Sequence, residues 1–203
     1  MTSKTLFVTC GATVPFPKLI ECILMENFAH ELLKSGFKKM IVQFGKGYQR
    51  PFTELLGKGH SDDLICTSND LGYDGKPVHG HIASGQLEVI GIEYSTRIQD
   101  VIEEYADLVI SHAGTGSILD SLRLGKPLIV CVNDTLMDNH QQQIADKFES
   151  ANYLVACLPR ENEIVECLRR LERKQMTPFP QAYNENFRQT LMTLAYGPEN
   201  LKS

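Results

Sequence analysis

Residues 110–120 carry the strongest chemical signal in the chain, because small residues there join an apolar run to a run with helical spacing. Asp107 to Ser111 is typical of a buried parallel strand, and Ser117 to Leu124 of the helix that follows it. The start of a helix favours an anion, because its first N–H groups are unpaired and its dipole is positive there. Gly114 and Gly116 would let the main chain approach that anion closely. The pattern therefore indicates a turn that holds a diphosphate.

Asp120 falls about one turn inside this predicted helix, where its carboxylate can accept hydrogen bonds from ribose hydroxyls of the same ligand. The dinucleotide fingerprint G-x-G-x-x-G is not met, because Leu119 stands where the third glycine belongs. The sequence thus argues against a dinucleotide, and no cofactor is expected. An alternative stays open at this point, in which the glycines only permit a tight turn and Asp120 is a solvated helix residue.

Composition narrows the class of protein. A chain of 203 residues with 42% hydrophobic content can bury one substantial α/β core. Its net charge of −5 and its lack of a basic cluster argue against a nucleic-acid partner. Six cysteines without a C-x-x-C pair are typical of free thiols in a reducing compartment. With no signal-peptide pattern and no apolar run near the ~20 residues that span a bilayer, we expect a cytosolic protein without a transmembrane segment.

Apolar, strand-like runs recur along the chain and most are separated by segments with helical spacing. This alternation predicts an α/β fold, a Rossmann-like parallel sheet with helices on both faces. We expect one domain over residues 1–172, with a glycine-rich surface insertion at about 57–85. The predicted strands are Thr5–Cys10, Met40–Phe44, Leu87–Ile92, Leu108–Ile110, Leu128–Val132 and Tyr153–Ala156.

Residues 173–203 are predicted to form a proline-containing tether and a C-terminal amphipathic helix. Thr177-Pro178-Phe179-Pro180 cannot be helical throughout, so it reads as a stiff, extended connection. Phe187, Leu191 and Leu194 would share one face of the last helix. That face either packs back on the domain or docks onto a partner protein, and these three residues are our candidates for a partner-binding surface.

Three loops that follow predicted strands complete the candidate site, because ligands of open parallel sheets bind beyond the carboxyl ends of the strands. The loop after residue 132 is dense in neutral amide and imidazole groups, which suit an uncharged polyhydroxyl ligand. Together with the predicted diphosphate-binding turn and the Asp120 carboxylate, this loop offers the groups that would bind a sugar nucleotide. No D-x-D cluster accompanies it, so no metal is expected. The candidate binding residues are Gly11, Thr13, Gly45, His112, Ala113, Gly114, Thr115, Gly116, Ser117, Asp120, Asn139, His140, Gln141 and Gln142.

Four segments together carry a resemblance to a known family. They are residues 7–13, 106–117, 125–130 and 136–141, and the likeness extends over roughly residues 5–155 apart from the insertion. The chain resembles the cytosolic catalytic subunits of the UDP-N-acetylglucosamine transferase that acts on N-acetylglucosaminyl-diphospho-dolichol. More distantly it is similar to the donor-binding half of the bacterial transferase that completes the peptidoglycan lipid precursor, in glycosyltransferase family 28. The resemblance implies the donor-binding half of a GT-B glycosyltransferase.

The resemblance also implies an activity and a partner. The activity would be an inverting transfer of N-acetylglucosamine from UDP-N-acetylglucosamine to a dolichol-linked acceptor, with Asp120 holding the ribose. The acceptor half would come from a membrane-anchored subunit that recruits this chain to the cytosolic face of the endoplasmic reticulum. His112 and His140 are the local candidates for a general base, although both fit better as donor-binding groups. Two alternatives remain: a noncatalytic UDP-sugar-binding regulatory or scaffold subunit, and a parallel-sheet protein for another phosphorylated ligand.

Overall fold

The computed structural model describes residues 3–12, 14–57, 70–133 and 140–180, with only the main chain at position 140. Within them, seven strands form one sheet in the order β3-β4-β2-β1-β5-β6-β7. Every pair of neighbours is parallel except β3 and β4. The strands are β1 (Lys4–Thr9), β2 (Phe37–Gln43), β3 (Val78–Ile82), β4 (Leu87–Ile92), β5 (Leu108–His112), β6 (Leu128–Cys131) and β7 (Val155–Cys157).

Helices cover both faces of this sheet, as the sequence predicted. The helices are α1 (Pro17–Leu24), α2 (Glu26–Lys34), α3 (Gln49–Leu56), α4 (Ile98–Tyr105), α5 (Thr115–Arg123), α6 (His140–Ser150) and α7 (Glu161–Arg173). Leu6 and Val8 of β1 join the core under α1, α2, α3 and α7, whereas Phe7 joins the core under α4, α5 and α6. Strands buried on both faces need continuous apolar runs, which explains why the sequence shows them. Across the described residues, every helix is too short or too polar to cross a bilayer.

The expected surface insertion at 57–85 needs a correction. Residues 78–82 form β3, an edge strand that pairs antiparallel with β4. Leu71 and Tyr73 are also buried in the core. The sequence did not predict this strand, because Val-His-Gly-His-Ile is short and lacks an apolar run. An edge strand needs less apolar sequence than a central one. Residues 58–69 lie outside the described part of the chain.

The proline-containing tether packs on the domain as far as the structure describes it. Asn152 donates from Nδ2 to Thr177 Oγ1 at 3.1 Å and accepts the Thr177 N–H at its main-chain oxygen at 2.9 Å. The Phe179 ring lies 5.1 Å from that of Tyr153 and 6.0 Å from that of Phe148. The predicted boundary at residue 172 stays a prediction. Phe187, Leu191 and Leu194 lie outside the described residues.

The order of the strands locates the crevice in which a ligand can bind. β1 has β2 on one side and β5 on the other, so the connections leaving β1 and β5 diverge to opposite sides. In open α/β sheets this switch point opens a crevice beyond the carboxyl ends of the strands. The crevice is bordered here by the loops that follow β1, β5 and β6.

A buried hydrogen-bond network fixes the loops on one side of the crevice. Gln43, at the end of β2, donates from Nε2 to Thr9 Oγ1 at 3.1 Å and accepts the Ser95 N–H at Oε1 at 2.9 Å. Thr9 Oγ1 also accepts the N–H of Gly11 at 3.2 Å. Because the side chains of Gln43 and Thr9 are buried, each lost bond would leave a polar group that water cannot satisfy.

Replacing Gln43 with methionine should therefore destabilise the fold while keeping the side-chain length. We expect the free energy of unfolding, measured by urea denaturation, to fall by about 1–3 kcal/mol, the usual cost of buried polar groups left unpaired. The matched control is Gln86→Met, because Gln86 is exposed and such sites usually change stability by less than about 0.5 kcal/mol. Equal stability of the two variants would contradict a role for Gln43 in holding the loops.

Candidate functional site

The predicted anion-binding turn lies at the crevice, between β5 and α5. α5 begins at Thr115, two positions before the predicted start at Ser117, so Gly116 and Ser117 belong to its first turn. Gly114 is the N-cap residue, and no side chain there accepts a hydrogen bond from the first N–H groups of the helix. The first turn therefore presents main-chain N–H groups and the positive end of the helix dipole to the crevice, where a phosphate can accept from them.

The two glycines of this turn have different physical roles. A Cβ at Gly116 would meet no other atom within 4 Å, so this glycine leaves open space over the main chain. A Cβ at Gly114 would lie inside the van der Waals surface of the His112 ring. The sequence predicted that both glycines let a ligand approach the main chain. The open space at Gly116 is compatible with that role. Gly114 is needed for the packing of His112.

His112 occupies a tight space beneath the crevice. Its ring lies between Gly11 and Gly114, and a Cβ at Gly11 would approach His112 Cε1 to 3.1 Å. Nδ1 is buried and has no hydrogen-bond partner among the described residues. Burial lowers the pKa of His112; the nearby main chain of Thr9 opposes the shift without reaching hydrogen-bond geometry at Nδ1. The ring is therefore neutral at pH 7, and its Nδ1 atom is enclosed by the protein.

Two histidines make the fold sensitive to mild acid. Burial lowers the pKa of His79 and of His112 below the ordinary value of 6.5. The unfolded chain then binds protons more tightly than the folded chain, so this contribution to stability is fully present above about pH 6.5 and is lost as the pH falls below it. We expect urea midpoints to decrease between about pH 6.5 and about pH 5.5. His79→Asn and His112→Asn should flatten that slope, and unchanged slopes in both would refute the assignment.

Asp120 projects from α5 about 7 Å along the helix axis from Thr115, the first residue of the helix. Gln99 of α4 donates from Nε2 to Asp120 Oδ1 at 2.8 Å. The second carboxylate oxygen, Oδ2, has no hydrogen-bond partner among the described residues, and the side chain is partly exposed. One oxygen is thus held in place by the protein, and the other is available to accept hydrogen bonds from a ligand hydroxyl.

A pocket of about 220 Å³ lies on the other side of His112, between the loops that follow β1, β5 and β6. Gln141, in the first turn of α6, lines it and holds a buried Oε1 atom without a hydrogen-bond partner among the described residues. Its neighbour Gln142 is exposed and bonds instead to Asp146 Oδ1 at 2.7 Å. The pocket is lined by Cys10, Gly11, Val14, Pro15, Phe16, His112, Asn133 and Gln141.

The remaining predicted site residues fall into two groups. Gly45 has a positive φ of 92° and packs against the loop after β1, since a Cβ there would lie 3.2 Å from the Pro15 main chain. It supports the crevice and does not line the pocket. Thr13, Asn139 and the side chain of His140 lie outside the described residues.

Sequence reasoning missed several residues that shape the site. The sequence offered one sign that Gln43 shapes the site, because this polar residue ends an apolar strand. It offered no sign for Gln99, since only the packing of α4 beside α5 brings Gln99 to Asp120. Cys10 and Phe16 were not among the predicted site residues, and they form an apolar wall of the pocket.

A larger concavity of about 520 Å³ lies at the opposite end of the strands, beside the residues that precede β6. Its walls include Arg123, Lys126 and Lys174 together with the tether residue Phe179. It contains neither the first turn of α5 nor Asp120. The crevice at the switch point therefore remains the candidate site.

Comparison with known proteins agrees with this geometry. The model of the glycosyltransferase family 28 C-terminal domain matches residues 5–194. UDP-N-acetylglucosamine transferase subunit ALG13 of Saccharomyces cerevisiae is 48% identical over 195 residues, which cover 95% of this chain and 96% of that protein. An NMR solution structure of ALG13 gives a TM-score of 0.72 at 49% identity, covering 93% of this chain and 95% of the other.

A more distant structure shares the fold alone. The crystal structure of Acinetobacter baumannii MurG gives a TM-score of 0.57 at 13% identity and covers 85% of this chain but 42% of the MurG chain. The family match spans nearly the whole chain and the sequence relative is of nearly equal length. The predicted fold class is confirmed, and the chain belongs to the glycosyltransferase family 28 C-terminal domain family.

Proposed function

We propose that this chain is the donor-binding, catalytic subunit of a UDP-N-acetylglucosamine transferase. The observation that carries the proposal is the convergence, at one switch point, of an uncapped helix start, an available carboxylate oxygen on Asp120 and a pocket lined by His112 and Gln141. These groups match the diphosphate, ribose and sugar of a sugar nucleotide. The 48% identity to a UDP-N-acetylglucosamine transferase subunit supports that donor.

The proposed reaction transfers N-acetylglucosamine to N-acetylglucosaminyl-diphospho-dolichol with inversion, which forms a β-1,4 linkage. The 4-hydroxyl of the acceptor attacks the anomeric carbon, and the bond to the diphosphate breaks. The N–H groups of the α5 first turn stabilise the charge on the departing UDP. Helix dipole and main-chain donors meet the phosphate charge without a metal ion in this scheme.

We assign His112 to donor binding and not to general base catalysis. Its buried Nδ1 and its lowered pKa make it a weak base that lies beneath the donor. The group that removes the proton from the acceptor hydroxyl then belongs to the acceptor half of the enzyme.

The proposal includes a second subunit, because the similar protein ALG13 of Saccharomyces cerevisiae is itself named a transferase subunit. The fold that it shares with MurG covers only 42% of the MurG chain. In our proposal the missing half is a membrane-anchored subunit that binds the dolichol-linked acceptor. It would hold this chain at the cytosolic face of the endoplasmic reticulum.

We expect the C-terminal segment to contribute to that association. Replacing Leu191 and Leu194 together with aspartate should move the chain from the membrane fraction to the soluble fraction, because charged side chains oppose burial at an apolar interface. Fractionation followed by immunoblotting measures the distribution. Unchanged membrane recovery would eliminate these residues from the partner-binding surface.

The test of the function is transfer of labelled N-acetylglucosamine from UDP-N-acetylglucosamine to dolichyl-diphosphate-N-acetylglucosamine. Membranes depleted of this chain are supplied with purified wild-type protein or with Asp120→Ala. Restoration by wild type alone supports both the reaction and the donor site. If wild type binds the membranes and UDP but restores no transfer, the chain is a noncatalytic UDP-sugar-binding subunit.

A further inference from the structure

The turn that ends α6 follows a common pattern of helix termination. Tyr153 donates its N–H to Phe148 O at 3.0 Å, and Asn152 donates its N–H to Glu149 O at 2.9 Å. Asn152 has a positive φ of 61°, and the rings of Tyr153 and Phe148 lie 6.3 Å apart. These are the two hydrogen bonds, the left-handed residue and the apolar contact of a Schellman motif. The C-terminal end of α6 therefore has a well-defined geometry.

Asn152 contributes more to this turn than its backbone conformation. Glycine is the commonest residue at such a position, because it adopts a positive φ without strain. The Asn152 side chain donates from Nδ2 to Gln175 O at 3.2 Å and to Thr177 Oγ1 at 3.1 Å. Its main-chain oxygen accepts the Thr177 N–H at 2.9 Å. One residue thus both ends α6 and holds the tether against it.

Phe179 of the tether packs on the same end of α6. Its ring lies 6.0 Å from that of Phe148 and 5.1 Å from that of Tyr153. All three rings pack against the core under α4, α5 and α6. Pro178 and Pro180 flank Phe179 and restrict the backbone on both sides of it, so the ring loses less conformational freedom when it packs. The tether therefore covers the end of α6 with an ordered contact.

The other end of α6 lies at the crevice. Gln141, in the first turn, lines the pocket beside His112. It precedes Phe148 by seven residues, which span about 10 Å along the helix axis. A helix of this length transmits a displacement from one end to the other, because its hydrogen-bonded backbone resists bending. The contacts at Phe148 therefore influence where Gln141 lies in the crevice.

We propose that the tether positions α6 for donor binding, with Asn152 and Phe179 as the positioning residues. Neither residue lines the crevice pocket, so both act through α6. The inference rests on the proposed function, in which the donor extends from the α5 turn to this pocket. It connects the two ends of that function, because the tether leads into the C-terminal segment to which we assigned partner binding.

The experiment measures the affinity of the full chain for UDP-N-acetylglucosamine and for UDP by isothermal titration calorimetry. Phe179→Ala should weaken binding of UDP-N-acetylglucosamine about tenfold, because α6 loses its aromatic support. The affinity for UDP, which meets α5 and Asp120, should change by less than about twofold. Phe179→Leu keeps an apolar side chain and should restore most of the loss. Asn152→Gly keeps the helix end but removes the amide, and it should weaken donor binding about threefold.

Hydrogen exchange separates positioning from a general loss of stability. The amides of α6 should exchange faster in Phe179→Ala than in the wild-type protein, whereas those of α5 should keep their rates, because opening is confined to the element that lost its contacts. The matched control is Leu171→Ala, which removes an apolar side chain of α7 from the core on the other face of the sheet. It should lower stability without weakening donor binding or accelerating exchange in α6 alone.

The outcomes separate this inference from the function on which it rests. Absence of UDP binding by the wild-type protein would overturn the proposed function. Wild-type donor affinity in Phe179→Ala and Asn152→Gly would overturn the positioning role and leave the proposed function standing. So would an equal loss of affinity in Leu171→Ala, or an equal loss for UDP and UDP-N-acetylglucosamine, because the effect would then be general. If Phe179→Ala does not fold, Phe179→Leu and Asn152→Gly decide: unchanged donor affinity and unchanged α6 exchange in both overturn the inference.

Discussion

Replacing Asp120 with alanine is expected to reduce kcat/KM for transfer by about a hundredfold. A hydrogen bond from a ribose hydroxyl to the available carboxylate oxygen involves a charged group and contributes about 1.5–3 kcal/mol. One bond of about 2.8 kcal/mol, within that range, corresponds to the hundredfold change. Because the ribose does not react, the contact is the same before and during the reaction, so the loss should appear mainly in KM and in the Kd for UDP.

The hydrogen bond from Gln99 permits a sharper version of this experiment. Gln99→Ala frees Asp120 Oδ1 without removing the carboxylate. We expect it to weaken UDP binding by only about two- to tenfold, the value of one hydrogen bond between partly exposed groups. Asp146→Ala is the control, because Asp146 is an exposed carboxylate that bonds to Gln142 on α6. Wild-type UDP affinity in Asp120→Ala would rule out the ribose contact.

Replacing Gly114 with valine should damage both stability and transfer. The added Cβ would overlap the His112 ring, and the ring cannot retreat, because the Gly11 main chain packs on its other side. Overpacking of this kind usually costs about 1–3 kcal/mol in the free energy of unfolding. Transfer should fall further than stability alone explains, since a displaced His112 disturbs both the α5 turn and the pocket. Urea denaturation and the transfer assay measure the two effects.

Two companion variants separate packing from ligand binding. Gly116→Ala adds a Cβ in open space, and stability should rise by up to about 1 kcal/mol, because alanine favours a helix over glycine. UDP binding should nevertheless weaken, since the methyl group occupies the side from which a phosphate approaches. The double variant Gly114→Val with His112→Ala should regain stability without regaining donor binding. Wild-type stability of Gly114→Val alone would contradict the packing argument.

Local sequence patterns determined most of the sheet and the position of the crevice. The central strands are buried on both faces, so their residues had to form continuous apolar runs that can be recognised without a structure. The turn between β5 and α5 was equally accessible, because strand, small residues and helix follow one another within residues 108–123. Asp120 could be assigned a ligand for the same reason, since its distance from the turn depends only on helix geometry.

Contacts between distant segments decided what local patterns could not. β3 was missed because its place in the sheet comes from pairing with β4, and its own five residues contain two histidines and a glycine. Gln141 and Gln142 are neighbours of one residue type, and the sequence treated them alike. Only the packing of α6 sends Gln141 into the pocket and Gln142 to the surface.

The roles of the two glycines and the orientation of Asp120 also needed the tertiary structure. Gly114 and Gly116 look equivalent in sequence, but His112 fills the space beside one and leaves the other open. One carboxylate oxygen of Asp120 accepts a hydrogen bond from the protein because α4 places Gln99 beside it. The sequence by itself predicted a candidate ligand site and its place along the chain, because these depend on local backbone geometry. Only the tertiary structure decided which side chains line the crevice, because that depends on packing between segments far apart in sequence.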